Sequence, residues 1–153
     1  MTLATLYLPA GGSARDEIDW NPEFSRRARG FAVYAALRQL GRSGLADLVA
    51  RTCRHARALA EGIGRLPGAE LIAASGLNQA LVRFKSLKPG ATAADHDRRT
   101  DDVIAAINRS GEAFFGGVTW RGRRAMRISV CNWRTTQSDI ARTIAAVTAA
   151  LAA

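Results

Sequence analysis

The chain has 153 residues, about the length of one ordinary domain, and a chain of this size can bury about 68–70% of its unfolded surface. Its residues are 48% hydrophobic and 23% charged, a composition typical of a globular domain that excludes disordered, collagen-like and low-complexity classes. The net charge of +9 raises nucleic acid as a partner, but the arginines are scattered without a basic tail, so a nucleic-acid binder is the least favoured alternative.

The N-terminal half of the sequence predicts a loop followed by two helices. Residues 1–20 have no sustained periodicity, which indicates a strand end and a loop. A helix is predicted over 22–40, because apolar residues recur there at helical spacing, and Gly41 and Gly44 end it. A second helix is predicted over 45–66, with apolar residues at steps of three and four and arginines mostly between them.

The C-terminal half predicts four short strands and two further helices. The strands are predicted over 69–74, 79–87, 113–120 and 125–132, and the helices over 94–110 and 136–151. The resulting order is helix, helix, strand, strand, helix, strand, strand, helix. It predicts an α+β fold in which helices cover one face of a small antiparallel or mixed sheet.

The cysteine content and the start of the chain bear on the compartment. Cys53 and Cys131 are far apart and accompany only two histidines, so neither a disulfide framework nor a zinc site is predicted. The chain starts without a basic region before its apolar residues, and no apolar stretch approaches the ~18 residues of a membrane span. We therefore expect a cytoplasmic protein that binds no metal and contacts no membrane.

The most informative stretch for chemistry is the last predicted strand. Alternation places Met126, Ile128 and Val130 on one face, beneath the helices, and Arg127 with its alternate neighbours on the other. A guanidinium held by a strand suits recognition of a carboxylate or a phosphate, because its planar fork donates two parallel hydrogen bonds. Two interpretations of Arg127 stay open on this pattern: a ligand-binding residue, or a surface arginine on an uncovered sheet face.

Several separated stretches resemble one family, the group II pyridoxal-phosphate (PLP)-dependent decarboxylases of the aromatic-L-amino-acid and glutamate decarboxylase type. The stretch from Trp20 to the paired arginines Arg26 and Arg27 resembles the family's entry into the long helix between its large and small domains. The stretches 77–84 and 126–132 resemble two strands of its small domain. The resemblance runs from about Tyr7 to the C-terminus, and the ordered series is more specific than any one piece.

The resemblance implies site residues and an architecture. In the family, the strand arginine that matches Arg127 reaches the α-carboxylate of the substrate, and Arg27 lies near the mouth of the active site. The implied fold is the C-terminal small domain of fold-type I PLP enzymes, preceded by a connecting helix. The implied domain division is residual large-domain strand end and loop over 1–21, connecting helix over 22–44 and small domain over 45–153.

Other parts of the family's machinery have no counterpart in this sequence. Family enzymes bind PLP as an imine of a lysine that follows a histidine, whereas this chain has only Lys85 and Lys88, with no preceding histidine. The loop 9–19 lacks the tyrosine that protonates the intermediate in animal members. We therefore expect no catalytic residue in this chain and no covalent PLP.

These features predict a function for the chain as part of a larger enzyme. We expect the C-terminal part of a PLP-dependent amino-acid decarboxylase, inactive alone and completed by a large domain or a complementary chain, with homodimers among full-length relatives. The alternative is a degenerate module that binds carboxylates or a partner without chemistry.

Overall fold

The computed structural model describes residues 27–74 and 76–152, which form three helices and four strands. The helices are α1 (Arg29–Gly64), α2 (Ala93–Ser110) and α3 (Gln137–Ala152). The strands are β1 (Ala69–Ala74), β2 (Gln79–Phe84), β3 (Gly116–Trp120) and β4 (Arg123–Ser129). The predicted α+β class and the predicted order of elements are confirmed. No helix among these residues is long and apolar enough to cross a membrane.

Helix α1 is interrupted at Gly41, whose φ of 62° and ψ of −172° are not helical. A positive φ is available to glycine without the steric cost that a Cβ would bring. The chain divides into two compact units at this point, the first ending at Gly41 and the second running from Arg42 to the C-terminus. The predicted break between two helices is confirmed at Gly41, whereas Gly44 is helical. The predicted segment 1–21 lies outside the described residues.

The four strands form one antiparallel sheet in the order β1-β2-β4-β3, so the antiparallel form of the predicted sheet is the one observed. The turn between β3 and β4 consists of Arg121 and Gly122, both with positive φ. Two-residue turns of this kind match the right-handed twist of a hairpin. The turn sets the register of β4 against β3, which pairs Trp120 with Arg123 and Gly116 with Arg127.

One face of the sheet and all three helices share a single hydrophobic core. Strands β2 and β4 contribute alternate residues to it, and the second unit's part of α1 contributes one turn after another of buried side chains. The fully buried large residues are Phe84, Ile63, Ile107, Met126, Ile128, Val82, Val103 and Val147. Among the described residues of the second unit, the helices lie on one face of the sheet only, so none of them covers the opposite face, here called the open face.

Two polar side chains of α2 make strands shorter than the sequence indicates. Thr100 Oγ1 accepts a hydrogen bond from Phe84 N and donates one to Phe84 O, so β2 ends at Phe84 instead of Leu87. The Asn108 amide likewise bonds both N and O of Phe115, so β3 starts at Gly116 instead of 113. In both places a helix side chain takes the position of a strand partner, a substitution that strand periodicity cannot reveal.

Candidate functional site

Arg127 lies in the middle of β4, between two strands. It pairs with Leu81 of β2 on one side and with Gly116 of β3 on the other. Its neighbours Met126 and Ile128 are fully buried, whereas Arg127 itself is exposed on the open face. The predicted alternation along β4 is therefore confirmed, with Val130 buried and Ser129 and Cys131 exposed. Because both sides of its backbone are hydrogen-bonded, the strand restricts where the guanidinium can move.

Three of the four arginines in the sheet are bound to acidic side chains. Arg83 Nη2 donates to Asp97 Oδ1 at 2.7 Å. Arg123 Nη2 donates to Glu70 Oε1 and Arg124 Nε donates to Asp101 Oδ1, each also at 2.7 Å. Within residues 27–74 and 76–152, Arg127 has no ion pair and no side-chain hydrogen bond. The free guanidinium of the sheet is thus the one that the sequence singled out.

The acidic residues near the sheet are committed to the other cations. The Arg123 guanidinium, through its hydrogen bond, holds the pKa of Glu70 below its ordinary value, and Lys85 acts in the same direction against the effect of burial. Asp97 accepts a second hydrogen bond, from the backbone N–H of Arg124 at 3.0 Å. These contacts engage both carboxylates with other cations, which leaves the positive charge of Arg127 available to a ligand.

A depression of about 380 Å³ opens on the sheet beside Arg127. Its size lies within the roughly 300–1,000 Å³ range of small-molecule pockets. Most of its wall is apolar, and Arg127 is the charged residue in it. The lining residues are Ala73, Ala74, Gln79, Ala80, Leu81, Val118, Trp120 and Arg127. The arrangement can bind an anion by a charge-assisted fork while an apolar group lies against the neighbouring side chains.

Three residues of this lining, Leu81, Val118 and Trp120, were not predicted from the sequence as site residues. Each occupies a period-two position that alternation alone could have placed on one face of its own strand. Alternation within one strand does not determine which residues of the neighbouring strands lie beside them on the same face of the sheet. The register Leu81 to Arg127 and Gly116 to Arg127 supplies that information, and it depends on contacts distant in sequence.

Arg27, the second predicted site residue, is exposed and lies just before α1. Its carbonyl accepts a hydrogen bond from Arg29 N at 2.8 Å. Arg27 belongs to the first unit and Arg127 to the second. The remainder of its motif, from Trp20 to Arg26, lies outside the described residues. Its predicted place near an active-site mouth stays a prediction.

The described residues do not fit the imine site of PLP. Lys85 Nζ lies 3.2 Å from Glu70 Oε2, so this ammonium group is held in an ion pair, and Lys88 is exposed in the loop that follows. The N-termini of α2 and α3, where a phosphate could otherwise bind, are each capped by an acidic side chain of the same helix. Residues 27–74 and 76–152 also contain no cluster of three or more His, Cys, Asp or Glu side chains that could hold a metal ion.

Comparison with known proteins identifies the fold. No protein-family model and no curated protein matches the sequence. The structure is similar to Oryza sativa TDC with PLP and tryptamine, at a TM-score of 0.76 and 16% identity over 90% of this chain and 29% of that chain. It is also similar to Catharanthus roseus tryptophan decarboxylase in complex with L-tryptophan, at 0.68 and 16% identity over 86% of this chain and 28% of that one.

A third similar structure comes from a bacterium. It is the glutamate decarboxylase domain of diaminobutyrate-pyruvate transaminase and L-2,4-diaminobutyrate decarboxylase from Vibrio parahaemolyticus, with a TM-score of 0.64, 19% identity, and coverage of 78% of this chain and 25% of that chain. The chain thus spans between a quarter and a third of the length of these structures. The predicted resemblance is confirmed at the level of structure: this chain has the fold of part of the PLP decarboxylases of known structure.

Proposed function

We propose that this chain is the C-terminal part of a PLP-dependent amino-acid decarboxylase, in which Arg127 binds the α-carboxylate of the substrate. The observation that carries the proposal is the exposed guanidinium of Arg127, which has no partner among residues 27–74 and 76–152, in a sheet whose other three arginines are paired with acids. The similarity of fold to decarboxylases supplies the reaction class. Arg27 would lie near the mouth of the same active site.

A carboxylate bound to Arg127 would be held in a defined direction. The guanidinium is planar and permanently charged, and each charge-assisted hydrogen bond contributes about 1.5–3 kcal/mol. Its attachment to a central strand limits the conformational freedom that binding must remove. Arg127 would therefore orient the group that leaves as carbon dioxide, which is a positioning contribution to the reaction.

The chain needs a second component for activity under this proposal. The similar decarboxylases are three to four times longer than the part that this chain spans, and the two lysines described above do not suit an imine with PLP. A large domain or a complementary chain would supply the cofactor site. The complete enzyme would act on an amino acid, as a homodimer.

The experiment that tests the proposal reconstitutes the enzyme. The chain is co-expressed with a large-domain polypeptide that carries the family's His-Lys segment, and carbon dioxide release from amino acids is measured. Arg127→Gln should lower kcat/KM by about 10- to 100-fold, because a charge-assisted pair is lost. The matched control is Arg134→Gln, since Arg134 is also exposed but lies over the Trp133 ring. Equal activity of Arg127→Gln and wild type contradicts the proposal.

A carboxylate-binding module without chemistry is the second candidate, and the ion pair between Lys85 and Glu70 favours it. Treating the isolated chain with PLP and borohydride separates it from a self-sufficient enzyme. Both the module and the fragment predict no stoichiometric reduced adduct at Lys85 or Lys88. The two differ in reconstitution, because only the fragment gains decarboxylase activity with a large-domain polypeptide.

A further inference from the structure

The loop of residues 85–92, which joins β2 to α2, is held by hydrogen bonds at its start. Lys85 N donates to the carbonyl of Gly68 at 2.7 Å. The next amide, Ser86 N, donates to Nδ1 of the His96 ring at 3.0 Å. His96 lies in the first turn of α2, and both Ser86 and His96 are half-buried. One anchor of the loop is therefore a titratable side chain.

The hydrogen bond from Ser86 defines the protonation state of His96. A backbone N–H can donate and cannot accept, so the Nδ1 atom that faces it must carry a lone pair. In a neutral imidazole with that arrangement, the ring proton lies on Nε2. A protonated imidazole has an N–H group at both nitrogens and would turn a donor toward the donor of Ser86. The anchor thus forms with the neutral ring and is lost with the charged one.

Each carboxylate on the described elements that meet at His96 already has a partner. Asp95 is bound by Thr92, Asp97 by Arg83, and Glu70 by Lys85 and Arg123. The cations on these elements are Lys85 and Lys88 of the loop, Arg83 of β2, Arg98 and Arg99 of α2, and Arg65 before β1. Lys85 and Lys88 lie within two residues of Ser86, so a charged ring would add to positive charge already near the loop. The neighbouring carboxylates do not compensate a charged His96 for the hydrogen bond that it loses.

The hydrogen bonds that precede Ser86 have acceptors that do not titrate. Phe84 N donates to Thr100 Oγ1 at 3.1 Å, and Lys85 N donates to a backbone carbonyl. A hydroxyl and a carbonyl remain acceptors throughout the range of about pH 5 to 8, in which an imidazole changes its charge. The end of β2 therefore stays attached to α2 when the bond of Ser86 is lost.

We propose that His96 is a pH-sensitive anchor of the loop 85–92: the neutral ring holds Ser86 against α2, and protonation of the ring releases it. Imidazole is the side chain whose ordinary change of charge lies nearest to neutral pH, so a modest acidification is sufficient. The inference concerns the isolated chain as well as a complete enzyme. Its outcome is independent of the proposed function, because no substrate, cofactor or second polypeptide takes part.

Amide hydrogen exchange of the 153-residue chain, followed by NMR at about pH 8 and about pH 5, tests the inference. Protection factors correct for the intrinsic effect of pH on exchange. We expect the protection of Ser86 N–H to fall about three- to tenfold on acidification, the range for one lost hydrogen bond, and that of Phe84 N–H to change by less than about twofold. Equal protection of Ser86 at the two pH values overturns the inference. An equal fall at Phe84 also overturns it, because the strand would then open together with the loop.

The ring of His96 provides a second, direct measurement. At about pH 8, the ring ¹⁵N shifts should show a proton on Nε2 and a lone pair on Nδ1, as the hydrogen bond from Ser86 requires. A proton on Nδ1 at that pH contradicts the assignment. The Ser86 amide shift should follow the same titration curve as the His96 ring, and separate midpoints contradict the link between the two groups.

A substitution at His96 separates the acceptor from its titration. In His96→Asn, the amide Oδ1 is the same number of bonds from Cα as Nδ1 of histidine, and the two residues have similar helix propensities. The protection of Ser86 should then be the same at both pH values. The matched control is His55→Asn, because His55 is the other histidine of the chain and lies on α1. This control should keep the wild-type fall. A fall that persists in His96→Asn, or that disappears in His55→Asn, contradicts the role of His96.

Discussion

The two faces of β4 differ in their surroundings, although their residues alternate along one strand. Met126 and Ile128 are completely buried beneath the helices, where they are part of the common core. Arg127, between them, is exposed on the open face. A strand can therefore restrict the position of a charged residue because its other face is packed. The buried residues on either side of Arg127 fix the backbone that carries its guanidinium.

A second contrast lies along the strand. Arg123 and Arg124, at the start of β4, are bound to Glu70 and Asp101, whereas Arg127, three to four residues further on, has no acidic partner among the described residues. All three residues have the same side chain in the same strand. What distinguishes them is the residue that β1 or α2 places opposite, which is why the pairing and not the residue type identifies the candidate site.

The largest expected effect contrasts the two faces. Met126→Ala should lower the free energy of unfolding by about 2–5 kcal/mol, because it removes a fully buried side chain and leaves a cavity. Arg127→Ala should change it by no more than about 0.5 kcal/mol, as for a surface residue without partners. Urea unfolding of both variants measures the difference. Similar losses of stability in the two variants would show that the Arg127 side chain is packed and not exposed to solvent.

The next effect tests the paired arginines. Arg83 is only 5% exposed, and its guanidinium depends on Asp97 and on the carbonyl of Ala93. Asp97→Ala should therefore cost about 1–3 kcal/mol of stability, because a buried charged donor loses its acidic partner. The control is Asp101→Ala, which breaks the more exposed pair with Arg124 and should cost about 0–1 kcal/mol. Equal costs in denaturant unfolding would contradict the difference in burial.

The pH dependence of stability tests the commitment of Glu70 to Arg123. Since the folded pKa of Glu70 is lowered below 4.5, its contribution is present above that pH and is lost as the pH falls through the folded pKa. Glu70→Gln should be less stable at pH near 7, by about 1 kcal/mol or less, and should lose less stability than wild type on acidification. Parallel curves of unfolding free energy against pH would show that Glu70 is not engaged.

The smallest expected effect concerns Gly117 of β3. A Cβ at this position would meet the guanidinium of Arg124, the far end of a flexible side chain that can move away. Gly117→Ala should cost about 0–1 kcal/mol by displacing Arg124 from Asp101. The double variant with Asp101→Ala should show less than additive loss, because both changes break the same pair. Strict additivity in unfolding experiments would place Arg124 elsewhere.

Most elements of this fold were predictable from local patterns in the sequence, but some strand boundaries were not. The residues 69–74 and 94–110 have patterns that place β1 and α2 to within one residue of the observed bounds. The predicted C-terminal end of β2 and the predicted start of β3 were each wrong by three residues. There the hydroxyl of Thr100 and the amide of Asn108 replace a strand partner, and neither contact has a local signature.

The candidate site divides in the same way. The alternation around Arg127 is a local property of β4, and it predicted the exposed guanidinium correctly. The apolar wall of Leu81, Val118 and Trp120 depends on the register of three strands, so it emerged only when the strands were paired.

The amino-acid sequence by itself determined the kinds of element, their order and the side of β4 from which Arg127 projects, because periodicity is set by the local geometry of a helix or a strand. Only the tertiary structure decided which acid meets which arginine, and therefore which arginine stays available. That choice depends on residues 14 to 53 positions apart in the chain, such as Arg83 with Asp97 and Arg123 with Glu70. Distances in space between such residues follow from packing and strand register, and no local pattern contains them.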